Sequence, residues 1–169
     1  LPDGNYKINR KIKKNKILII GTTKNKNLDR ILISIKDIKM ETIIIGKINK
    51  NQVKYLIEKK KYKNYINISE AKLINCYNQA RVLLFPSLYE GFGLPIIEAQ
   101  RMSVPVITSN ISPMKEIANK SAILVNPKDI NDIRKKLNKI CFDSKLRKTI
   151  IKKGYINSLN FNPKVFKKQ

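Results

Sequence analysis

Residues 90–99 read Glu-Gly-Phe-Gly-Leu-Pro-Ile-Ile-Glu-Ala, and the rest of the chain is organised around this stretch. An apolar run, Val82 to Phe85, precedes it, and a second apolar run, Val104 to Thr108, follows it. Short apolar runs predict buried strands, and Pro95 suits the first position of a helix because its missing N–H would be unpaired there. The order strand, glycine-bearing loop, helix, strand is typical of a parallel α/β sheet.

The same alternation continues on both sides of that stretch and predicts an α/β fold, a doubly wound parallel sheet of about six strands. Strands are expected at residues 16–20, 42–46, 65–68, 81–85, 104–108 and 122–125. Helices are expected near 28–35, 53–57, 70–77, 130–140 and 143–159, and from 95 and 113 onward, with Ser69 and Asp129 as N-caps. We expect one domain over 17–160, a linker over 1–16 and a C-terminal tail over 161–169.

The chain is strongly basic, with 36 lysines and arginines against 12 acidic residues among 169, a net charge of +24. Such a charge attracts polyanions, so nucleic acid or an anionic membrane surface is one class of partner. The lysines are spread along the whole chain, so a compositional bias is an equally good explanation. No apolar run is long enough to cross a bilayer and no signal-peptide pattern opens the chain, so we expect a cytoplasmic protein.

Two cysteines, Cys76 and Cys141, lie far apart, and the chain has no histidine. This composition argues against a zinc site and excludes a catalytic Cys–His pair. Buried free thiols are the expected state of both cysteines.

Two loops follow predicted strands, at 21–27 and 86–94, and parallel strands bring such loops to one edge of the sheet. Glycines in these loops allow a ligand to approach the bare backbone, and the helix start near Pro95 offers free N–H groups to a phosphate. Glu90 lies in the loop and Glu98 about one turn into the helix, which indicates different roles for the two carboxylates.

The string Pro-Ser-Leu-Tyr-Glu-Gly-Phe-Gly-Leu-Pro at 86–95, with Glu98, resembles the donor-site signature of retaining glycosyltransferases of the GT-B fold, family 4, or glycosyl transferases group 1. Its hallmark is a pair of glutamates with seven residues between them, as in Glu90 and Glu98. The likeness extends over about residues 17–160. It implies the Rossmann-like, carboxy-terminal half of a GT-B enzyme, which binds a nucleotide-diphosphate sugar and transfers the sugar with retention.

The resemblance also implies roles for individual residues. Lys26 and Glu90 are the implied catalytic residues: Lys26 holds the departing diphosphate, and Glu90 orients the hydroxyls of the donor sugar. Glu98 accepts hydrogen bonds from the nucleotide ribose. No metal cofactor is expected, because lysine and a helix dipole supply the positive charge. The remaining donor-binding residues implied are Gly21, Thr22, Gly91, Phe92, Gly93 and Leu94.

The sequence departs from the family pattern at several loop positions. Asn25 stands where many relatives carry arginine, and Ser103 and Asn119 stand where glycine is usual. The amino-terminal half that usually binds the acceptor is absent from these residues, and the lack of an initiator methionine suggests a fragment or a processed chain. The partners expected are therefore a nucleotide sugar, an acceptor-binding half and, through the basic charge, the inner face of a membrane.

Two other functions stay open at this point. A basic α/β module that binds nucleic acid would explain the charge, but the sequence shows no aromatic-rich RNA motif and no zinc knuckle. A relative that keeps the fold and has lost transfer is the second, against which the presence of Lys26, Glu90 and Glu98 argues.

Overall fold

A computed structural model describes residues 8–9, 11–59 and 61–161. Its strands are β1 (Lys16–Ile20), β2 (Glu41–Ile45), β3 (Tyr62–Tyr65), β4 (Ala80–Phe85), β5 (Val106–Ser109) and β6 (Ile123–Val125). Its helices are α1 (Leu28–Ser34), α2 (Lys50–Lys59), α3 (Glu70–Gln79), α4 (Leu94–Arg101), α5 (Met114–Ala118), α6 (Ile130–Phe142) and α7 (Ser144–Leu159). Most of the expected tail (162–169) and part of the expected linker (1–7 and 10) lie outside the described residues, so both assignments stay predictions.

The six strands form one sheet in the order β3-β2-β1-β4-β5-β6, and every neighbouring pair is parallel. This confirms the predicted doubly wound α/β fold. The chain winds outward from β1 to β3 and then returns to place β4 on the other side of β1. The order therefore reverses between β1 and β4, and in such sheets ligands bind beyond the carboxyl ends of the strands at that point.

Alternation along the strands divides the core into two layers, one on each face of the sheet. In β1, Ile17 and Ile19 belong to the layer that includes residues of α1 and α6, while Leu18 belongs to the layer that includes residues of α3, α4 and α5. Both faces are covered, which explains why β1 is apolar throughout its centre rather than alternating with polar residues.

Two strands, β3 and β5, differ from the sequence prediction by more than one residue at a boundary. The expected third strand, 65–68, begins earlier and ends at Tyr65, which pairs with the last residue of β2, Ile45. Asn67, just beyond, has a left-handed backbone (φ 52°) that a strand does not tolerate. The fifth strand begins at Val106 rather than Val104, because the Val104 N–H bonds back to the carbonyl of Ala99 in α4.

The expected N-caps are confirmed, since Ser69 accepts from the Lys72 N–H and Asp129 from the N–H groups of Asn131 and Asp132.

Cys76 and Cys141 are buried free thiols, also as expected. Burial raises the pKa of the Cys141 thiol to about 11, so at neutral pH this cysteine is an inert core residue.

The two positions where the family pattern has glycine are explained by backbone conformation. Ser103 and Asn119 both adopt positive φ, 54° and 40° respectively. Glycine occupies this region without steric cost, and asparagine tolerates it better than serine does. Both residues therefore adopt a backbone conformation that glycine favours, with some strain, chiefly at Ser103.

Candidate functional site

The loops after β1 and β4 lie side by side at the point where the strand order reverses. The Leu88 N–H donates to the carbonyl of Asn25 at 2.7 Å, and the Asn25 side-chain amide donates to the carbonyl of Tyr89 at 3.1 Å. These bonds join the two loops into one surface, as the parallel sheet predicted. Asn25, which stands where relatives carry arginine, thus has a structural role between the loops.

A buried amide fixes the base of this surface. Asn27 is only 4% exposed, and its Nδ2 donates to the carbonyls of Pro86 (3.0 Å) and Pro127 (2.6 Å). These three residues follow β1, β4 and β6 respectively. One side chain therefore holds the carboxyl ends of three strands in a fixed relation.

Lys26 and Glu90 meet in a close ion pair across the two loops. The Lys26 Nζ lies 2.6 Å from Glu90 Oε1 and 2.8 Å from Oε2, so it contacts both carboxylate oxygens. The side chains are 19% and 9% exposed, and the ammonium also lies 4.7 Å from the centre of the Phe85 ring. Shielding from water strengthens this pair relative to a surface ion pair, so the ammonium is held in place between a carboxylate and an aromatic face.

Gly21 leaves room for the aliphatic part of the Lys26 side chain, which lies against its Cα. A Cβ at position 21 would lie 2.8 Å from both Cγ and Cε of Lys26, and the backbone there has φ +88°. Any larger residue would displace the lysine as well as strain the turn. Thr22, the next predicted site residue, packs instead against Gly46, where an added Cβ would lie 2.6 Å from the Thr22 Oγ1.

The glycines between Glu90 and α4 have different surroundings. Gly93 precedes the helix with φ 93° in the left-handed region, which turns the chain into α4, and Leu94 and Pro95 open that helix. A Cβ at Gly91 would meet nothing within 4 Å, so the backbone there borders open space. This is the arrangement expected of a loop that presents its backbone, and the start of a helix, to a ligand.

Phe92 and Leu94 are both partly exposed, at 38% and 39%. The Phe92 ring packs edge-to-face against Phe161 beyond α7, with 6.2 Å between the ring centres. Phe161, the last described residue, therefore packs against this loop and supports it.

Glu98 lies in the second turn of α4 and is half-buried. Its Oε2 accepts a hydrogen bond from the Tyr77 hydroxyl at 2.8 Å, and Tyr77 is completely buried at the end of α3. The two glutamates of the signature thus have different partners, a cation for Glu90 and a buried hydroxyl for Glu98. Their surroundings therefore differ, while the roles of the two carboxylates stay predictions.

Three contributors were missed by the sequence reasoning. Helical spacing places Tyr77 in the core, but nothing in it shows that the hydroxyl reaches Glu98. The sequence predicts Phe85 only as the end of a strand and Asn27 only as the last residue of the loop 21–27. An asparagine in the loop that leads from a strand to the next helix is a usable signal, because its amide needs partners if it is buried near the strand ends.

The described residues contain no group of three or more Cys, Asp or Glu side chains placed to hold a metal ion. None of the described helices combines the length and the apolar character needed to cross a membrane.

Comparison with known proteins places this chain in a family. The family model described as Glycosyl transferases group 1 matches residues 5–156. The Escherichia coli serotype-specific mannosyltransferase WbdA is 38% identical over 76 residues, which cover 45% of this chain and 9% of that protein. This chain therefore spans only a small part of that relative.

Solved structures show the same fold. A crystal structure of S. aureus TarM with UDP matches with a TM-score of 0.78 at 19% identity, over 94% of this chain and 35% of that one. The C-terminal domain of LpcC from Francisella tularensis, a glycosyl transferase group 1 protein, matches with a TM-score of 0.68 at 23% identity, over 89% and 88% of the two chains. Because the family model matches residues 5–156 of the 169 in this chain, the chain belongs to the glycosyl transferases group 1 family.

Proposed function

We propose that this chain is the donor-binding half of a glycosyltransferase that uses a nucleotide-diphosphate sugar and transfers the sugar with retention to an acceptor. The observation that carries the proposal is the Lys26–Glu90 ion pair, held where the sheet order reverses and next to the start of α4. A second, amino-terminal half would bind the acceptor and close the cleft. Family membership and the names of the relatives support this assignment.

In the proposed complex, the Lys26 ammonium leaves the Glu90 carboxylate and contacts the diphosphate instead. The ammonium and the N–H groups at the start of α4 then face the phosphates, with the N–H groups of residues 91–94 beside them. Glu90, released from the lysine, accepts hydrogen bonds from the donor sugar. Glu98 accepts hydrogen bonds from the ribose. Lys26 is well placed to stabilise the negative charge that grows on the diphosphate as it leaves, and we propose that no metal is needed for this.

The proposed reaction breaks the bond between the anomeric carbon of the sugar and the diphosphate oxygen. The acceptor oxygen forms a new bond to that carbon on the same face, and its proton passes to the departing diphosphate. The site carboxylates orient the donor and neither one needs to attack it, so the two-carboxylate mechanism of glycoside hydrolases does not apply.

Titration calorimetry with UDP and with GDP at high salt tests the proposal. High salt suppresses attraction that arises merely from the net charge of +24. We expect saturable binding of one nucleotide at one site, with little transfer by this chain alone. Binding that vanishes at high salt for both nucleotides, together with salt-steep binding of any oligonucleotide, would contradict the proposal in favour of a basic nucleic-acid-binding module.

We further propose that the outward face of α7 rests on an anionic lipid surface. Lys145, Lys148, Lys152 and Lys153 are exposed on this helix, and no acidic residue occurs over 144–161. Three apolar side chains lie among them: Tyr155, Ile156 and Leu159 are 42%, 54% and 54% exposed. Beside them, Ile8, Ile151 and Tyr155 contribute to a groove of about 510 Å³. Lysines attract anionic headgroups and apolar side chains enter the interface, so the charge and the apolar groove fit the same partner.

A matched pair of variants separates this face from the general basic charge. Lys148→Gln/Lys152→Gln/Ile156→Ser changes α7, and Lys50→Gln/Lys54→Gln/Ile57→Ser makes the same changes on exposed positions of α2. In co-sedimentation with vesicles containing phosphatidylglycerol, we expect the α7 variant to bind about tenfold more weakly than the α2 variant. Equal losses would show that only the net charge attracts the lipid.

A further inference from the structure

Tyr77 is a buried residue whose polar end reaches the proposed nucleotide site. It is 0% exposed and lies in the last turn of α3, three residues before β4 begins. Its ring belongs to the same buried cluster as Leu83 of β4 and Ile97 of α4. Close packing of this kind restricts the two side-chain torsions of a tyrosine, so the hydroxyl has a well-defined position.

The Tyr77 hydroxyl donates a hydrogen bond to Glu98, whose side chain is flexible on its own. A glutamate has three side-chain torsions, and Glu98 is half-buried at the surface of α4. The Tyr77 hydroxyl donates to Oε2 at 2.8 Å, a normal length for a hydrogen bond to a carboxylate. The bond joins two helices through residues that are 21 positions apart in sequence, so it fixes the carboxylate relative to the core as well as to its own helix.

Two explanations account for this contact. In the structural one, a tyrosine buried for packing needs an acceptor and Glu98 supplies it. In the functional one, the core supplies a donor that fixes the direction of a ligand-binding carboxylate. The second follows the general design of binding sites, in which the group that touches the ligand is held by a group behind it.

We propose that Tyr77 is a positioning residue for nucleotide recognition. Its hydroxyl holds the Glu98 carboxylate in the orientation from which the carboxylate accepts hydrogen bonds from the ribose hydroxyls. The inference rests on the proposed function, since it requires that Glu98 contacts a ribose. Tyr77 itself touches no ligand, and its contribution passes through Glu98.

Comparison of a nucleotide with its 2′-deoxy analogue tests the inference. Calorimetric titrations would use UDP and 2′-deoxy-UDP, or GDP and 2′-deoxy-GDP if GDP is the nucleotide bound, on the parent chain and on Tyr77→Phe. Tyr62→Phe, which removes the hydroxyl of a half-buried tyrosine in β3, is the matched control. We expect Tyr77→Phe to weaken binding of the ribonucleotide about three- to tenfold and that of the deoxy analogue by less, so the preference for ribose shrinks.

The Glu98→Ala background provides the second measurement. There we expect Tyr77→Phe to change nucleotide affinity by less than about twofold, because the residue through which it acts is gone. A lower melting temperature with equal losses for the two nucleotides would show a purely structural tyrosine and overturn the inference alone. If the parent chain binds neither UDP nor GDP at high salt, the proposed function fails, and this inference fails with it.

Discussion

We expect Lys26→Met to weaken binding of the proposed nucleoside diphosphate about 10- to 150-fold. Lys26 is the cation that the structure holds at the carboxyl end of β1, with its ammonium on Glu90. Loss of a charge-assisted contact to a phosphate costs about 1.5–3 kcal/mol, which corresponds to that range. Lys24→Met is the matched control, since Lys24 is an exposed lysine in the same short turn. Calorimetric titration of the three chains at high salt measures the effect.

The variant also leaves the Glu90 carboxylate, 9% exposed, without its cation, so part of any loss could come from a less stable loop. Lys26→Met/Glu90→Gln removes that charge. We expect the double variant to regain melting temperature relative to Lys26→Met while its affinity for the nucleoside diphosphate stays low. Recovery of nucleotide affinity in the double variant, or an equal loss in Lys24→Met, would remove Lys26 from the phosphate site.

We expect Glu98→Ala to weaken nucleotide binding by about 1–3 kcal/mol, or roughly 5- to 150-fold. The reason is that the variant lacks the carboxylate proposed to accept hydrogen bonds from the ribose hydroxyls, and an ionised carboxylate is a strong acceptor for such donors. Glu70→Ala, which removes an exposed glutamate from the first turn of α3, controls for the change in net charge. Titration with the nucleoside diphosphate that binds the parent chain gives the comparison.

The loss in Glu98→Ala should depend on the ribose. We expect the variant to bind inorganic pyrophosphate as the parent chain does, because Lys26 and the α4 N-terminus are intact. Unchanged affinity for the nucleotide would exclude Glu98 from the site. A parallel loss for pyrophosphate would mean that the substitution disturbs the loop before α4 instead.

The overall fold can be predicted because some segments of the sequence suit only one kind of structural element. The centre of β1, Ile17 to Ile19, is buried on both faces of the sheet, and such a run suits a central parallel strand. Once β1 and β4 are neighbours, the loops that carry Lys26 and Glu90 must meet at one edge. The convergence of these two residues could therefore be predicted from sequence, although the contact of the ammonium with both carboxylate oxygens could not.

What escaped prediction depends on contacts between distant segments. Ile66 and Ile68 read as strand residues, yet β3 ends at Tyr65, where its partner strand β2 ends. The hydrogen bond between Tyr77 and Glu98 joins two helices that pack on the same face of the sheet. Neither local periodicity nor residue type predicts which acceptor a buried hydroxyl contacts. Side-chain hydrogen bonds of this kind are set by tertiary packing.

The hydrogen bonds of the Asn27 side-chain amide bear on how the loops after β1, β4 and β6 move. Because it bonds to the carbonyls of both Pro86 and Pro127, movement of either loop breaks a buried hydrogen bond that also anchors the turn after β1. The three loops are therefore coupled as one cooperative unit, and none can fray without loosening the others. We therefore expect these three loops to loosen together rather than one at a time, which would keep the spacing of Lys26 and Glu90 while the loops stay closed.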